Sequence, residues 1–200
     1  MLEYQYTEKF NNLYKIVAPY TIVDKQRLFI LYQLANHVRY LNGDFAEVGV
    51  YKGGTAKLIC EAKGNRELHL FDTFEGLPEL GSNDDAIQFK KGFATALLED
   101  TKDYLSQYQK VYFYKGLFPK TATPIKDKTF SFVHLDVDLY QSTHDCIEFF
   151  YPRMAKGGII ISHDYITAKG VKKAFDEFFS DKPEIIFELL SGEQCLVIKL

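Results

Sequence analysis

The stretch Phe45-Ala46-Glu47-Val48-Gly49-Val50-Tyr51-Lys52-Gly53-Gly54-Thr55 decides the fold. Residues 44–50 read as a short buried strand, and the glycines at 49, 53 and 54 mark a tight turn into a helix running to about Cys60. Glycine carries no side chain and tolerates positive φ, so this turn lets backbone approach a ligand closely. Its spacing matches neither the G-x-G-x-x-G pattern of dinucleotide folds nor the P-loop. Alone, such a cluster is an ordinary strand-to-helix turn; its weight comes from what surrounds it.

Upstream, Leu28, Leu31, Leu34, Ala35, Val38 and Leu41 recur at helical spacing behind a capping Asp24. Residues 1–43 thus form an N-terminal helical segment, able to close over a site as a lid. Downstream, a strand at 67–71 ends on Asp72, and an irregular stretch at 73–92 carries Gly76, Pro78, Gly81 and Asn83. Loops of that length are usually functional or mobile. Leu97, Thr101, Tyr104, Leu105 and Tyr108 share a helical face, and strands follow at 110–114 and 131–135. Ser142 with Asp145 resembles a capping box opening a helix that Pro152 stops. Gly157-Gly158 introduces a strand at 159–162, and Val171, Ala174, Phe175, Phe178 and Phe179 stripe the next helix, with Lys169, Lys172 and Lys173 on its solvated face. Segments 184–190 and 194–200 around Ser191-Gly192-Glu193 read as a closing hairpin.

Five strands alternating with helices predict an α/β, mostly parallel, seven-stranded Rossmann-like sheet with an antiparallel C-terminal hairpin and helices on both faces. Ligands in such sheets bind at the carboxyl ends of the strands, which gathers Gly49, Asp72, Gly116, Asp136 and Asp164 around one crevice.

The bulk properties agree. A chain of 200 residues, 46% hydrophobic, is expected to form one domain over 1–200. Its net charge of -3, with scattered basic residues, argues against nucleic acid as a partner. No run approaches a membrane span, and MLEYQYTEKF lacks the marks of a signal peptide, so a cytoplasmic location and no membrane partner are expected. Cys60, Cys146 and Cys195 lie apart in apolar segments and read as core residues. Soluble oligomers are most often dimers, which makes a homodimer the default assembly.

Asp72, one strand after the glycine turn, is placed to accept hydrogen bonds from a ribose diol; alone it would be a turn cap. Asp136 and Asp164, at adjacent strand ends, form a natural carboxylate pair for a divalent cation, with Asp138 as third ligand or base. A single acid there would only cap a helix or pair with a lysine, but three favour a site. His134, in mid-strand, reads as a core histidine.

Five ordered segments carry a family resemblance: Glu47-Val-Gly49-Val-Tyr51-Lys-Gly53-Gly54-Thr-Ala, Phe71-Asp72-Thr-Phe-Glu-Gly76-Leu-Pro78, Lys115-Gly116-Leu-Phe118-Pro119, Leu135-Asp136-Val-Asp138-Leu-Tyr140-Gln-Ser142-Thr143 and Asp164-Tyr165. From about Thr21 to Lys173 the chain resembles the macrocin-type O-methyltransferases, which are related in their cofactor loop to catechol-type O-methyltransferases. The resemblance implies a class I methyltransferase fold, S-adenosylmethionine as cofactor, and methyl transfer to a hydroxyl of a sugar or other small natural-product-like substrate, commonly with a divalent metal such as magnesium or manganese. It sets Glu47, Gly49 and Gly53 against the methionine part of the cofactor, with Tyr51, Thr73 and Asp136 also in contact, Asp72 on the ribose and Gly116 bordering the adenine.

One position departs from the family pattern. An acid is expected immediately before the second carboxylate, and this chain has His163 in Ser162-His163-Asp164. Imidazole is a poor magnesium ligand but suits manganese, iron or zinc. Three readings stay open: His163 joins Asp136 and Asp164 at a metal of changed identity, it acts as the base, or no metal binds. A metal-independent methyltransferase acting on another nucleophile is therefore an alternative. A nicotinamide-dependent oxidoreductase is a further one, set back by the missing dinucleotide spacing.

Overall fold

The computed structural model describes residues 6–190 and 193–200. Seven strands, β1 (Asp44–Val48), β2 (Leu68–Asp72), β3 (Val111–Lys115), β4 (Phe130–Leu135), β5 (Met154–Ser162), β6 (Phe187–Glu188) and β7 (Cys195–Ile198), form one sheet in the order β3-β2-β1-β4-β5-β7-β6. The first five are parallel, and β7 runs antiparallel between β5 and β6. The chain fills one half of the sheet with β1 to β3, then crosses back to lay β4 against β1. The crevice at the carboxyl ends of β1 and β4 is thus the switch point where open α/β sheets bind ligands.

Alternation along the strands sorts the core into two layers. Phe45, Leu68, Phe132, Ile159 and Ile161 pack against α1 (Glu8–Val17), α2 (Lys25–Val38) and α3 (Gly54–Ala62). Ala46, Val48, Phe71, Val133 and Leu135 face the opposite layer, where α5 (Tyr140–Phe150) and α6 (Lys169–Phe179) lie, while α4 (Leu98–Leu105) precedes β3. Cys60, Cys146 and Cys195 are free and buried, as their apolar surroundings imply. Lys172 and Lys173 pair with Asp176 and Glu177 one turn on along α6. No helix among the described residues is long and apolar enough to cross a membrane.

Local signals explain most boundaries. The Asp24 carboxylate accepts from Gln26 N and Arg27 N and opens α2, which starts three residues before the apolar periodicity begins. Thr7 caps α1, a separate helix within the N-terminal segment. Three boundaries differ from the sequence reading. Gly157 and Gly158 lie inside β5, which begins at Met154. The first strand of the closing hairpin shrinks to Phe187–Glu188, and Ser191 and Gly192 of its expected turn fall outside the described residues.

The third difference concerns α5. Ser142 does not cap it, because the helix begins two residues earlier and its N-cap, Leu139, has no side chain for the task. A distant acid serves instead. Asp84, in the long loop after β2, accepts from Tyr140 N at 2.7 Å through Oδ1 and from Gly81 N at 2.8 Å through Oδ2. The irregular segment is thereby fastened to the start of a helix 56 residues further along the chain.

Candidate active site

Backbone closeness shapes the floor of the site. At Gly49 φ is +89°, and a Cβ built there would lie 1.9 Å from the carbonyl oxygen of Asp136, so only glycine lets the β1 turn touch the end of β4. Tyr51 adopts φ +51° without being glycine. It is held by Asp72, whose Oδ2 accepts from Val50 N at 2.7 Å and Tyr51 N at 2.8 Å, while Oδ1 accepts from Phe74 N at 2.6 Å. The carboxylate that the sequence reading assigns to a ribose thus also ties two loops together at the crevice.

Glu47 lies deeper than expected. It is fully buried, its Oε1 stands 2.7 Å from Nδ1 of the equally buried His134, and its Oε2 has no partner. Burial pushes its carboxyl above the usual range, against the pull of His134. Glu47 and Gly53 do not reach the cavity wall; Gly53 instead takes a left-handed conformation at the start of α3.

The acids of β4 and β5 converge as expected. Nδ1 of His163 lies 3.0 Å from Asp164 Oδ2 and 3.6 Å from Asp136 Oδ1. Both ring nitrogens of His163 are buried without a hydrogen-bond partner, so the ring nitrogen approaches the carboxylates without aligning to donate to them. Ligand atoms from Asp136, His163 and Asp164 all fall within 4.8 Å of one another. An orphaned imidazole nitrogen beside two carboxylate oxygens is the donor set of a divalent transition metal, so these residues fit such an ion. Burial alone would lower the His163 ring, but the charges of Asp136 and Asp164 raise it above the ordinary histidine value. The same contact outweighs burial at Asp164 and holds its carboxyl at about 2.

Asp138 plays a different part. Burial, with the Asp136 charge and a hydrogen bond to Asp164, pushes its carboxyl well above the carboxylate range. The same contact lowers Asp164, so the two carboxyls are shifted in opposite directions. Asp138 and Asp164 sit at φ +61° and +56°, a strained region that aspartate tolerates better than most residues and that clusters at functional sites.

These groups face one cavity of about 360 Å³. Of the residues read from sequence, Gly49, Tyr51, Asp72, Thr73, Gly116, Asp136, Asp138, His163 and Asp164 line it. The N-terminal segment supplies a wall through Tyr20, Thr21, Ile22 and Val23, pressed so close that a Cβ on Gly54 would meet Thr21 Cβ and Tyr20 O at 2.8 Å. The long loop supplies another through Leu77, Pro78 and Phe89. Two charged lining residues escaped the sequence reading: Arg27 of α2 and Glu193 from the C-terminal hairpin, which form an ion pair. Nothing in the local sequence marks this pair, because its members are 166 positions apart and meet only through the fold.

A seven-stranded sheet in this order, with an antiparallel β7, a glycine turn after β1 and acids at the ends of β2, β4 and β5, defines a class I methyltransferase architecture. A model of the macrocin O-methyltransferase (TylF) family matches residues 8–189. The chain belongs to that family. It is 31% identical over 138 residues to the 8-demethyl-8-(2,3-dimethoxy-alpha-L-rhamnosyl)-tetracenomycin-C 4'-O-methyltransferase of Streptomyces olivaceus, covering 62% of this chain and 53% of that protein. It is 27% identical over 164 residues to the demethyldecarbamoylnovobiocin O-methyltransferase of Streptomyces niveus, covering 74% of this chain and 62% of that one. The chain thus spans roughly half to three fifths of these curated relatives. The solved structure of the O-methyltransferase NovP superposes with a TM-score of 0.77 at 25% identity, over 90% of this chain and 82% of that one.

Proposed function

We propose that this protein is an S-adenosylmethionine-dependent O-methyltransferase acting on a hydroxyl of a sugar or other small natural-product-like acceptor, assisted by a divalent metal. The observation that carries the reading is the convergence of Asp136, His163 and Asp164 on the same cavity as the Gly49 turn and Asp72. The relatives that act on rhamnosylated tetracenomycin and novobiocin precursors support the acceptor class.

When bound, S-adenosylmethionine supplies a methyl group already activated on a sulfonium. The chain's task is to bind both partners, align an oxygen with that methyl and remove the oxygen's proton. Gly49 permits close backbone approach, Tyr51, Thr73 and Gly116 border the cofactor, and Asp72 holds the Val50 and Tyr51 amides in place while facing the ribose. Glu47, beneath the turn with His134, and Gly53 at the start of α3 support the methionine end from behind. Asp136, His163 and Asp164 would hold the metal, which lowers the pKa of a hydroxyl and orients it. Asp136 receives the acceptor's proton on a carboxylate oxygen. Asp138 donates to Asp164 and keeps that carboxylate turned toward its partners. The N-terminal segment and the long loop cover the cavity and exclude water.

Titration calorimetry with S-adenosylhomocysteine tests the cofactor assignment. The wild-type chain is expected to bind, and Asp72→Asn, which presents an amide N–H to backbone donors or gives up one acceptor, to bind about ten- to a hundredfold more weakly. No binding by the wild type, or a larger thermal shift with NADH, overturns the reading. Exhaustive chelation is expected to stop methyl transfer until manganese or another divalent transition-metal ion is restored, with magnesium the poorer substitute; transfer that persists identifies the metal-independent alternative.

A further inference from the structure

A second group of ligating side chains lies at the opposite end of the sheet. Asp44 opens β1, Glu67 immediately precedes β2, His69 is the second residue of β2, and Lys128 stands just before β4. His69 is buried, with 1% of its side chain exposed, and its Nε2 has no hydrogen-bond partner. That nitrogen lies 3.5 Å from Asp44 Oδ2 and 3.5 Å from Glu67 Oε2. The Lys128 ammonium touches the same two oxygens, at 2.9 and 2.7 Å.

We infer that Asp44, Glu67 and His69 form a second divalent-metal site, remote from the methyl-transfer crevice, which a zinc-class ion enters by displacing the Lys128 ammonium. The geometry carries this. Ligands bound tetrahedrally at zinc distances lie about 3.4 Å from one another. The two nitrogen-to-oxygen separations match that edge, and 3.5 Å is too long for the hydrogen bonds that would otherwise explain the arrangement. Opposite the open nitrogen, Nδ1 of His69 lies 3.1 Å from the Tyr114 hydroxyl, which fixes the ring's orientation as outer partners do for metal-bound histidines. The backbone fixes the carboxylates too, since Asp44 N donates to Thr129 O at 2.8 Å and Phe45 N to Glu67 O at 2.9 Å.

Two carboxylates and an imidazole select zinc, cobalt or nickel over magnesium. The charges point the same way, since two acids face a single ammonium. A divalent ion neutralises both and frees Lys128, whose side chain is one-third exposed, to swing into water. Occupancy ties the starts of β1 and β2 together, so the ion stabilises the fold without touching the reaction.

Cobalt(II) is the probe, because its tetrahedral sites absorb intensely in the visible. Chelator-stripped protein carrying His163→Ala and His144→Ala, which remove the nitrogen ligands of the two other candidate clusters, is expected to take up one cobalt with that absorption and to lose the band when zinc is added. In the same background His69→Ala is expected to abolish the band, and Lys128→Met to tighten zinc binding about tenfold or more. A melting curve checks each variant, and Glu67→Gln, at a position about one-third exposed, replaces His69→Ala should the latter fail to fold. The proposal is overturned by absence of the band in the His163→Ala, His144→Ala protein, by its persistence when His69 or Glu67 is replaced in that background, or by zinc binding no tighter in Lys128→Met.

Discussion

Replacing Asp136 by asparagine is expected to lower kcat by about 10²- to 10⁴-fold, the range that removal of a positioned proton acceptor produces. The amide matches the carboxylate in shape, so the loss reports chemistry rather than packing. It can neither take the acceptor's proton nor balance the raised His163 ring, whose Nδ1 lies 3.6 Å away. Steady-state kinetics beside a melting curve decide the matter: a drop in kcat with unchanged melting supports the assignment, and activity within a few-fold of wild type removes Asp136 from the mechanism. Asp164→Asn is a useful companion, because asparagine tolerates the left-handed backbone that Asp164 adopts at φ +56°, whereas alanine would add strain.

The largest effect on stability is expected at Gly49. In Gly49→Ala the new methyl would be placed 1.9 Å from the Asp136 carbonyl oxygen, and the backbone would have to keep φ at +89°. Backbone cannot swing aside as a flexible side chain does, so β1 and β4 must separate at the switch point. Strain and overpacking together are expected to cost about 2–5 kcal/mol. For a chain of this size, that lowers Tm by on the order of 10 °C. Homocysteine-nucleoside binding should fall with it, because the same displacement moves the amides of Val50 and Tyr51 off Asp72. Thermal unfolding that matches wild type would show that the turn is looser than its geometry implies.

The sheet was legible in the sequence because burial imposes a period on each element. Phe45 and Phe132 face one layer and Ala46 and Val133 the other, and that alternation is written directly in residue type. The strand-end acids were legible for a related reason: a carboxylate that follows an apolar run is costly to bury without a partner. What escaped were contacts whose partners are distant in the chain. The capping of α5 by Asp84, the Glu47–His134 pair and the Arg27–Glu193 bridge join positions 56, 87 and 166 residues apart. No local pattern encodes such pairs. Ser142 and Asp145 mimicked a capping box because the spacing of that motif occurs freely inside helices, and only the backbone reveals that the helix has already begun. His163 was legible as an exception to its family, yet its unaligned approach to both acids is a property of the fold alone.

The Asp84 cap joins two parts of the molecule that would otherwise answer to ligands separately. Because the first turn of α5 finds its acceptor on the segment that covers the cavity, order in one is thermodynamic credit for the other. Ordering of the segment that carries Leu77 and Phe89 is therefore expected to firm a helix whose opening residues follow directly from Asp138, which links the wall of the cavity to the acids beneath it.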